Sequence, residues 1–533
     1  MKNCSCEVTY ARFIPVAFAF LTKSRSFVSA SSACTRATPP ETNPAKTVSK
    51  KFHVSSVRQK VALQFIVSNL ALVVNLVLTV VLARLLSPED IGIFSMSAVL
   101  MAVAHVFRDF GVTSYIKREK ELTTESLRNA LGVLLVTSWS MAGAMYLSAP
   151  YWADFFREAR VVPVVQVLAL GFVFIPFGAI PLAIITREMA VGKWARITAV
   201  TSAVFFASSV GLALAGFGPM TMAWANLVNI IVTGLMARWA MARALPWLPA
   251  FGQLKSIVHF GLGNLLTSLL KAADNALPDV LLGRWMSPAA VGLFSRANST
   301  VNMVSTALLP TVNYFALPYM AKVHHANGPV AGEYLRASSL INSLVLPALA
   351  AIAVLAHDIV SFLYGTAWLG AVPAIPWLCL AFAVSSLFTL SAPALLGVGK
   401  PYAAIGPNAL IVVAKVVCAV WLMDGTLNTF ALAMALGQVV SVPYQLWVHQ
   451  RYLNLPWKSW AVSILPLLAH TMLVGVACFG IREALPANIA SWVAILATGV
   501  GGTFAFLAGC FLLSLPIAGE LKRLLRYSLQ RGH

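Results

Sequence analysis

The chain has 533 residues; 59% are hydrophobic, only 11% are charged, and the formal net charge is +20 at pH 7. A soluble core does not need so many apolar residues, and repeated runs of about 20 of them indicate membrane-spanning helices. This composition excludes a large soluble domain, and with it most kinds of soluble enzyme.

Residues 1–56 differ from the rest because they are rich in Ser, Thr, Pro and Lys. Their one apolar stretch, Phe13–Leu21, is too short to cross a membrane and is similar to the hydrophobic core of a signal peptide. We expect these residues to be either a disordered cytoplasmic tail or a segment that precedes the true start codon.

From residue 57 onward the sequence predicts an all-α integral membrane protein with about fourteen transmembrane helices. Two parallel six-helix repeats, over 57–250 and 251–455, are followed by two additional helices and a basic cytoplasmic tail over 456–533. The predicted spans are 61–83, 91–115, 129–149, 163–185, 195–216, 219–237, 257–282, 292–318, 338–356, 374–396, 404–423, 427–448, 461–481 and 491–515.

A duplicated segment supports the repeat. Leu82–Ser95 reads LARLLSPEDIGIFS, and Leu282–Ser295 reads LGRWMSPAAVGLFS. The first copy joins spans one and two and the second joins spans seven and eight, so an even number of spans separates them and the halves run in the same direction. We expect the copies to mark corresponding corners of the halves, with Arg84 and Arg284 capping spans one and seven.

The basic residues indicate orientation rather than nucleic-acid binding. With the N-terminus inside, most Lys and Arg fall in cytoplasmic loops and in the two tails. The external loops hold only five, namely Arg84, Arg157, Arg160, Arg284 and Arg482. This positive-inside bias predicts cytoplasmic N- and C-termini, and the excess charge also attracts anionic membrane lipid.

No catalytic pattern is present. The chain lacks a nucleophile elbow, a phosphate-binding loop and a zinc-protease motif, and its seven cysteines have no metal-binding or redox spacing. The sequence therefore predicts a protein that is not an enzyme and that needs no cofactor or metal.

Charged residues at membrane depth are the candidates for function, because such residues are costly and usually face a cavity or a partner. Four bases accompany three acids at depth, which favours a cationic interior that holds an anion such as phosphate. Structural pairs, Lys271 with Asp274 and Asp279 with Arg296, are the alternative for single residues. The candidates are Arg108 and Asp109 in span two, Lys271, Asp274, Asn275 and Asp279 in span seven, Arg296 in span eight and Lys415 in span eleven.

Span seven carries a polar stripe. Asn264, Thr267, Lys271, Asp274 and Pro278 recur at three- and four-residue steps, which puts them on one face of a helix. A polar face in a membrane helix indicates a water-filled cavity, and the proline is expected to loosen the helix.

The region from about residue 57 to 455 resembles the polysaccharide transporter family of lipid-linked oligosaccharide flippases, within the multidrug/oligosaccharidyl-lipid/polysaccharide exporter superfamily. The similarity is carried by Asp274-Asn275 followed by Leu282-Gly283-Arg284, by Val291–Ala297, by Ala153–Phe156 and by Ile185–Met189. The subgroup it resembles most is that of O-antigen and exopolysaccharide flippases.

The resemblance implies a substrate and a mechanism. An oligosaccharide on undecaprenyl diphosphate would enter a central cavity from the inner leaflet of a bacterial inner membrane, and rocking halves would open it outward. Polysaccharide polymerase and other assembly proteins are implied partners, and nucleic acid is not. Cavity residues on this chain would be Arg108, Lys271, Asn275, Arg296 and Lys415, with Asp109, Asp274 and Asp279 as candidates for ion coupling. Span one departs from the family because it has no basic residue at mid-depth.

Two alternatives remain open at this point. A cation-coupled multidrug exporter of the same superfamily would be expected to have an acidic cavity. A membrane scaffold that assists polysaccharide assembly without transport would tolerate neutralisation of the cavity charges.

Overall fold

In the computed structural model of the protein, the described residues are 54–109, 112, 116, 123–188, 190–241, 249–250, 254–486 and 488–519. These ranges are almost wholly helical and contain no strand, as the all-α prediction requires. The predictions for 1–53 and for the basic tail after 519 lie outside the described residues.

The described residues of the first half, 54–241 with gaps, contain six long helices. Small residues allow them to approach closely: a Cβ atom on Gly178 in the fourth helix would lie only 2.8 Å from the Cα of Gly234 in the sixth. The bounds are α1 Val54–Leu85, α2 Pro88–Asp109, α3 Thr124–Phe156, α4 Val161–Arg187, α5 Val191–Leu214 and α6 Met220–Trp239.

The second half is more interrupted, because predicted spans ten and twelve are each broken. Its bounds are α7 Leu254–Trp285, α8 Pro288–His325, α9 Val330–Val354, α10 Ala356–Leu363, a 3₁₀ segment Thr366–Ala374, α11 Ile375–Leu387, α12 Ser391–Gly397, a 3₁₀ segment Pro401–Ala404, α13 Ile405–Leu422, α14 Leu427–Val440 and α15 Val442–Leu453. Two further helices, α16 Trp457–Ala484 and α17 Ser491–Leu512, follow.

Membrane character is shown by 11 stretches of the described chain that are long and apolar enough to cross a bilayer. A shorter apolar helical stretch, Asn69–Leu85, belongs to α1. The protein is therefore a multi-pass membrane protein, and the total of fourteen spans stays a prediction.

The two copies of the duplicated segment contact each other, and we call the end of the bundle where they meet the repeat end. A Cβ atom on Gly92 of α2 would overlap the carbonyl oxygen of Pro288, and one on Gly292 of α8 would overlap that of Pro88. The helices therefore cross backbone to backbone at equivalent positions, which only glycine permits. One turn further, the Oγ atoms of Ser95 and Ser295 lie 3.5 Å apart.

The arginines of the repeat contact the opposite half, so the expectation that they cap their own helices was wrong. Arg84 donates hydrogen bonds to the carbonyl oxygens of Phe362 and Leu363, at the end of α10. Arg284 lies with its guanidinium carbon 5.6 Å from the centre of the Phe155 ring in α3. Exposed carbonyls at a helix C-terminus and aromatic faces both attract a guanidinium. Each arginine therefore binds one of these groups instead of the carbonyls of its own helix.

The two additional helices pack on the second half. Arg482, near the end of α16, donates a hydrogen bond of 2.7 Å from Nε to Oδ2 of Asp358 in α10. The carboxylate is almost fully buried, with 4% of its side chain exposed. The short helix α10 is thus held at its beginning by Arg482 and at its end by Arg84.

Candidate binding cavity

A cavity of about 190 Å³ opens between α7 and α13. Four of its wall residues come from α7 and two from α13, and four of the six are polar. They are Leu270, Lys271, Asp274 and Asn275, with Asn408 and Ile411 opposite. The cavity therefore presents an ammonium group, a carboxylate and two amides within the bundle.

The α7 wall follows from the spacing of its sequence. Lys271, Asp274 and Asn275 stand three and four residues apart, and a helix with 3.6 residues per turn places them on one face. The helix continues through Pro278 to Trp285. Because proline has no N–H, it cannot donate the usual hydrogen bond to the carbonyl of Asp274, four residues earlier.

The α13 wall supplies the partner of Asp274. The Nζ atom of Lys415 lies 2.6 Å from Oδ1 of Asp274, and the two side chains are only 14% and 32% exposed. The alternative of a Lys271–Asp274 pair is therefore wrong for this conformation. Lys271 is exposed, and within the described ranges no carboxylate forms a salt bridge with it.

The position of Lys415 is fixed from behind by Gly437 in α14. A Cβ atom on this glycine would lie 2.6 Å from the Cα of Lys415 and 2.7 Å from its backbone nitrogen. Only the absence of a side chain allows α13 and α14 to approach this closely. Gly437 therefore sets how far the lysine projects towards α7.

Arg296 lies elsewhere, near the repeat end of α8. It is 7% exposed, and its guanidinium carbon is 5.9 Å from the ring centre of the buried Trp368. Its Nε atom has no hydrogen-bond partner in the part of the chain that the structure describes. Asp279 is half-buried, and no salt bridge joins it to Arg296, although both side chains are described. The Asp279–Arg296 pair is thus not formed, and neither residue lines the cavity.

The two span-two candidates lie at the end of α2. Arg108 is half-buried near the end of α2 and has interaction partners, and it is not among the six wall residues. The backbone of Asp109 closes α2, and its side chain lies outside the description. The structure thus brings together four of the eight predicted residues, namely Lys271, Asp274, Asn275 and Lys415.

Sequence reasoning missed Asn408 and Gly437. The signal for Asn408 was available, because it precedes Lys415 by seven residues, two helical turns, and so lies on the same face of α13. Nothing in the sequence singled out Gly437, whose role depends on the packing of α14 against α13.

Comparison with known proteins gives this architecture a family. Residues 81–373, more than half of the chain, match the model of the family described as polysaccharide biosynthesis protein. Lipopolysaccharide biosynthesis protein WzxC of Escherichia coli is 24% identical over 310 residues, which are 57% of this chain and 62% of that relative. Succinoglycan biosynthesis transport protein ExoT of Rhizobium meliloti is 21% identical over 428 residues, 79% of this chain and 85% of that one.

The fold also matches a solved structure. Lipid II flippase MurJ in an inward closed conformation superposes with a TM-score of 0.67 at 11% identity, covering 85% of this chain and 98% of MurJ. At this identity the similarity concerns the fold alone, and the family follows from the sequence match. The chain belongs to the polysaccharide biosynthesis protein family and is a multi-pass membrane protein whose fold is similar to that of MurJ.

Proposed function

We propose that this protein is a flippase that moves undecaprenyl-diphosphate-linked oligosaccharide repeat units across the bacterial inner membrane by alternating access. One observation carries the proposal: Lys271 lines the cavity between α7 and α13 with two amides, and Lys415 of α13 binds the wall residue Asp274. The family match to polysaccharide biosynthesis proteins supports the substrate class.

The chemistry of the walls fits an anion joined to a sugar. Ammonium groups bind phosphate and carboxylate oxygens, and the hydrogen bonds they make are stronger than neutral ones because they carry charge. The amides of Asn275 and Asn408 both donate and accept, as sugar hydroxyls require. Lys271 in the wall and Lys415 beside it do not suit the organic cations that a multidrug exporter carries, which argues for the flippase over that alternative.

The size of the cavity suggests that it holds only one part of the substrate. A volume of about 190 Å³ is below the roughly 300–1,000 Å³ of typical ligand pockets. It suits an anionic group such as the diphosphate or one acidic sugar. The rest of the glycan would occupy space that opens between the halves, while the lipid tail stays in the bilayer.

The ion pair suggests how binding is linked to an ion. In this conformation Asp274 neutralises Lys415. A substrate anion would compete for Lys415 and leave the carboxylate of Asp274 without its partner, so that a cation bound there would compensate its charge. Asp274 is therefore our first candidate for ion coupling, and Asp279 and Asp109 are the other two.

The remaining assignments follow from the charge distribution and the resemblance. We place the N- and C-termini in the cytoplasm and the repeat end towards the periplasm. Arg296 lies near the repeat end beneath Trp368, so it would meet the substrate only when that end opens. A polysaccharide polymerase and other assembly proteins are the proposed partners.

A complementation experiment tests the proposal. Deletion of the gene in its source strain should abolish surface polysaccharide and accumulate lipid-linked repeat units at the inner leaflet. The wild-type gene should restore export, the Lys271→Ala/Lys415→Ala variant should not, and Lys271→Arg should retain it because the charge remains. All variants are compared at equal protein level in the membrane.

Two results would contradict the proposal. Full export by the double alanine variant would show that the cavity charges are dispensable, as a scaffold predicts. Increased drug sensitivity of the deletion strain with normal surface polysaccharide would instead favour the exporter.

A further inference from the structure

The duplicated segments cross in close contact at the repeat end of the bundle. Gly92 and Gly292 lie at the centre of this contact, where a Cβ atom on either one would lie 3.1–3.2 Å from the backbone nitrogen of the other and would overlap a proline carbonyl. The contact is reciprocal, so the two helices meet in the same way from both sides. No side chain separates the backbones, and the seal is therefore as tight as two helices allow.

Each turn is also fastened to the opposite half. The indole Nε1 of Trp368 donates a 2.6 Å hydrogen bond to the carbonyl of Ala83, beside the Arg84 contact with the end of α10. On the other side, a Cβ atom on Gly283 would lie 2.6 Å from the sulfur of Met96 and 2.8 Å from the Phe156 ring. The first turn thus packs on the second half, and the second turn packs on the first.

The contacts between the two turns are of kinds that can separate at low cost. They consist of backbone packing, a few hydrogen bonds and an arginine over an aromatic ring, and the described contacts across the crossing include no salt bridge. Such contacts can be exchanged for water without leaving a buried charge unpaired.

We propose that the duplicated turns are the latch of the transporter, and that the outward-open state forms when Gly92 and Gly292 separate. The inference rests on the proposed alternating-access function and assigns its control to these residues. The latch also connects to the additional helices, because α10, which receives Arg84, is bound at its other end to Arg482 of α16. Opening of the repeat end therefore requires the ends of α1 and α10 to part.

A cysteine cross-link tests the latch directly. The variant Ser95→Cys/Ser295→Cys is made in a background whose seven native cysteines are replaced and which still exports polysaccharide. Because the two Oγ atoms are 3.5 Å apart, mild oxidation should form an intramolecular disulfide in most molecules. The cross-link should reduce export at least 10-fold, and a reductant should restore it.

A second cysteine pair, placed where the side chains do not face each other, serves as the control. Ser97 is fully buried, donates to the carbonyl of Ile93 in its own helix, and is rotated by about 200° from Ser95 around α2. Ser97→Cys/Ser295→Cys should therefore form little disulfide and export normally after oxidation. Absence of the Ser95–Ser295 cross-link, or unchanged export after it has formed, would overturn the latch.

A second measurement does not depend on transport. Thr300 is 1% exposed below the crossing, so a Thr300→Cys side chain should react slowly with an impermeant maleimide added outside the cell. Gly92→Ala/Gly292→Ala should accelerate this labelling at least 10-fold, whereas Gly143→Ala, whose Cβ meets nothing within 4 Å, should not. Equal labelling rates would refute the latch.

The two proposals fail in different ways. Cross-linking and labelling report on the repeat end whatever the substrate is. If both behave as expected but the deletion strain exports polysaccharide normally, the latch stands and the flippase assignment falls.

Discussion

Lys415 and Asp274 form a salt bridge of 2.6 Å across the cavity, although 141 positions separate them in the sequence. The pair joins α7 to α13 beside the cavity that Asp274 lines. Because both groups are only partly exposed, each depends on the other for its charge to be tolerated.

Removal of one member of this pair should be worse than removal of both. Lys415→Ala leaves a partly buried carboxylate alone, which we expect to lower the free energy of unfolding by about 1–3 kcal/mol, less than for a fully buried pair. Lys415→Ala/Asp274→Asn should recover most of that stability. Thermal unfolding in detergent measures this recovery, and equal stability of single and double variants would argue against the pairing.

The double variant should not recover export. The amide that replaces the Asp274 carboxylate can restore part of the packing, but the cavity then has one cation fewer to bind the substrate. Stability and export are therefore expected to separate in this variant, and restored export would count against a binding role for Lys415.

We expect Gly437 to affect export through the position of Lys415. Gly437→Ala would push a methyl group against the lysine backbone, 2.6 Å from its Cα, so we expect export to fall several-fold with modest loss of protein. Gly480→Ala, in a position with open space, is the control and should behave as wild type. Normal export by the Gly437 variant would mean that the exact position of Lys415 is unimportant.

The Asp358–Arg482 pair should contribute strongly to the attachment of α16. Asp358→Ala removes the partner of Arg482, and Arg482→Ala leaves a carboxylate that is 4% exposed without its cation. We expect the second change to be the more harmful, with a loss on the order of 3 kcal/mol. Unfolding of the two variants and of the double variant, followed by α16 accessibility to protease, tests the order of effects.

Glu158 lies outside the membrane-spanning segments, and we expect it to make the stability of the protein depend on pH. Arg160 donates hydrogen bonds of 2.8 and 2.9 Å to the two carboxylate oxygens of Glu158, and these bonds hold the pKa of that carboxyl below its usual value of 4.5. A lowered pKa means that the contribution to stability is present at neutral pH and lost as the pH falls through the folded-state value.

Glu158→Gln should therefore lower the thermal midpoint at pH 7, and the difference from wild type should shrink as the pH falls below the usual carboxyl pKa of 4.5 and through the lower folded-state pKa. Parallel melting curves between pH 3 and 7 measure the difference. A gap that is constant over this range would show that the charge of Glu158 is not involved.

The sequence was sufficient for the architecture because apolar runs and the duplicated turn are local signals. It was insufficient where a helix breaks or lengthens: α11 and α12 are separate although 374–396 contains no charged residue, and α8 extends to His325, past the predicted 318. Hydropathy alone does not report such features. The contact between Gly92 and Gly292 could not be predicted from the sequence either, because two similar segments need not touch each other.

The sequence predicted only the part of the site that depends on local periodicity. Lys271, Asp274 and Asn275 share one helix and could be grouped by periodicity. The partner of Asp274 comes from α13, and only tertiary packing selects Lys415 over the nearer Lys271. Arg296 was grouped with the cavity by charge, whereas its contact with Trp368 places it near the repeat end.

The most direct test of the central claim is transport by the purified protein. Reconstituted into liposomes with a fluorescent undecaprenyl-diphosphate oligosaccharide, the wild-type protein should move the label to the opposite leaflet, measured by loss of accessibility to a quencher. Because each lysine would supply a charge-assisted contact of about 1.5–3 kcal/mol, Lys271→Ala/Lys415→Ala should slow this at least 10-fold, with Lys271→Arg close to wild type. Equal rates for the wild type and the double alanine variant would contradict the account.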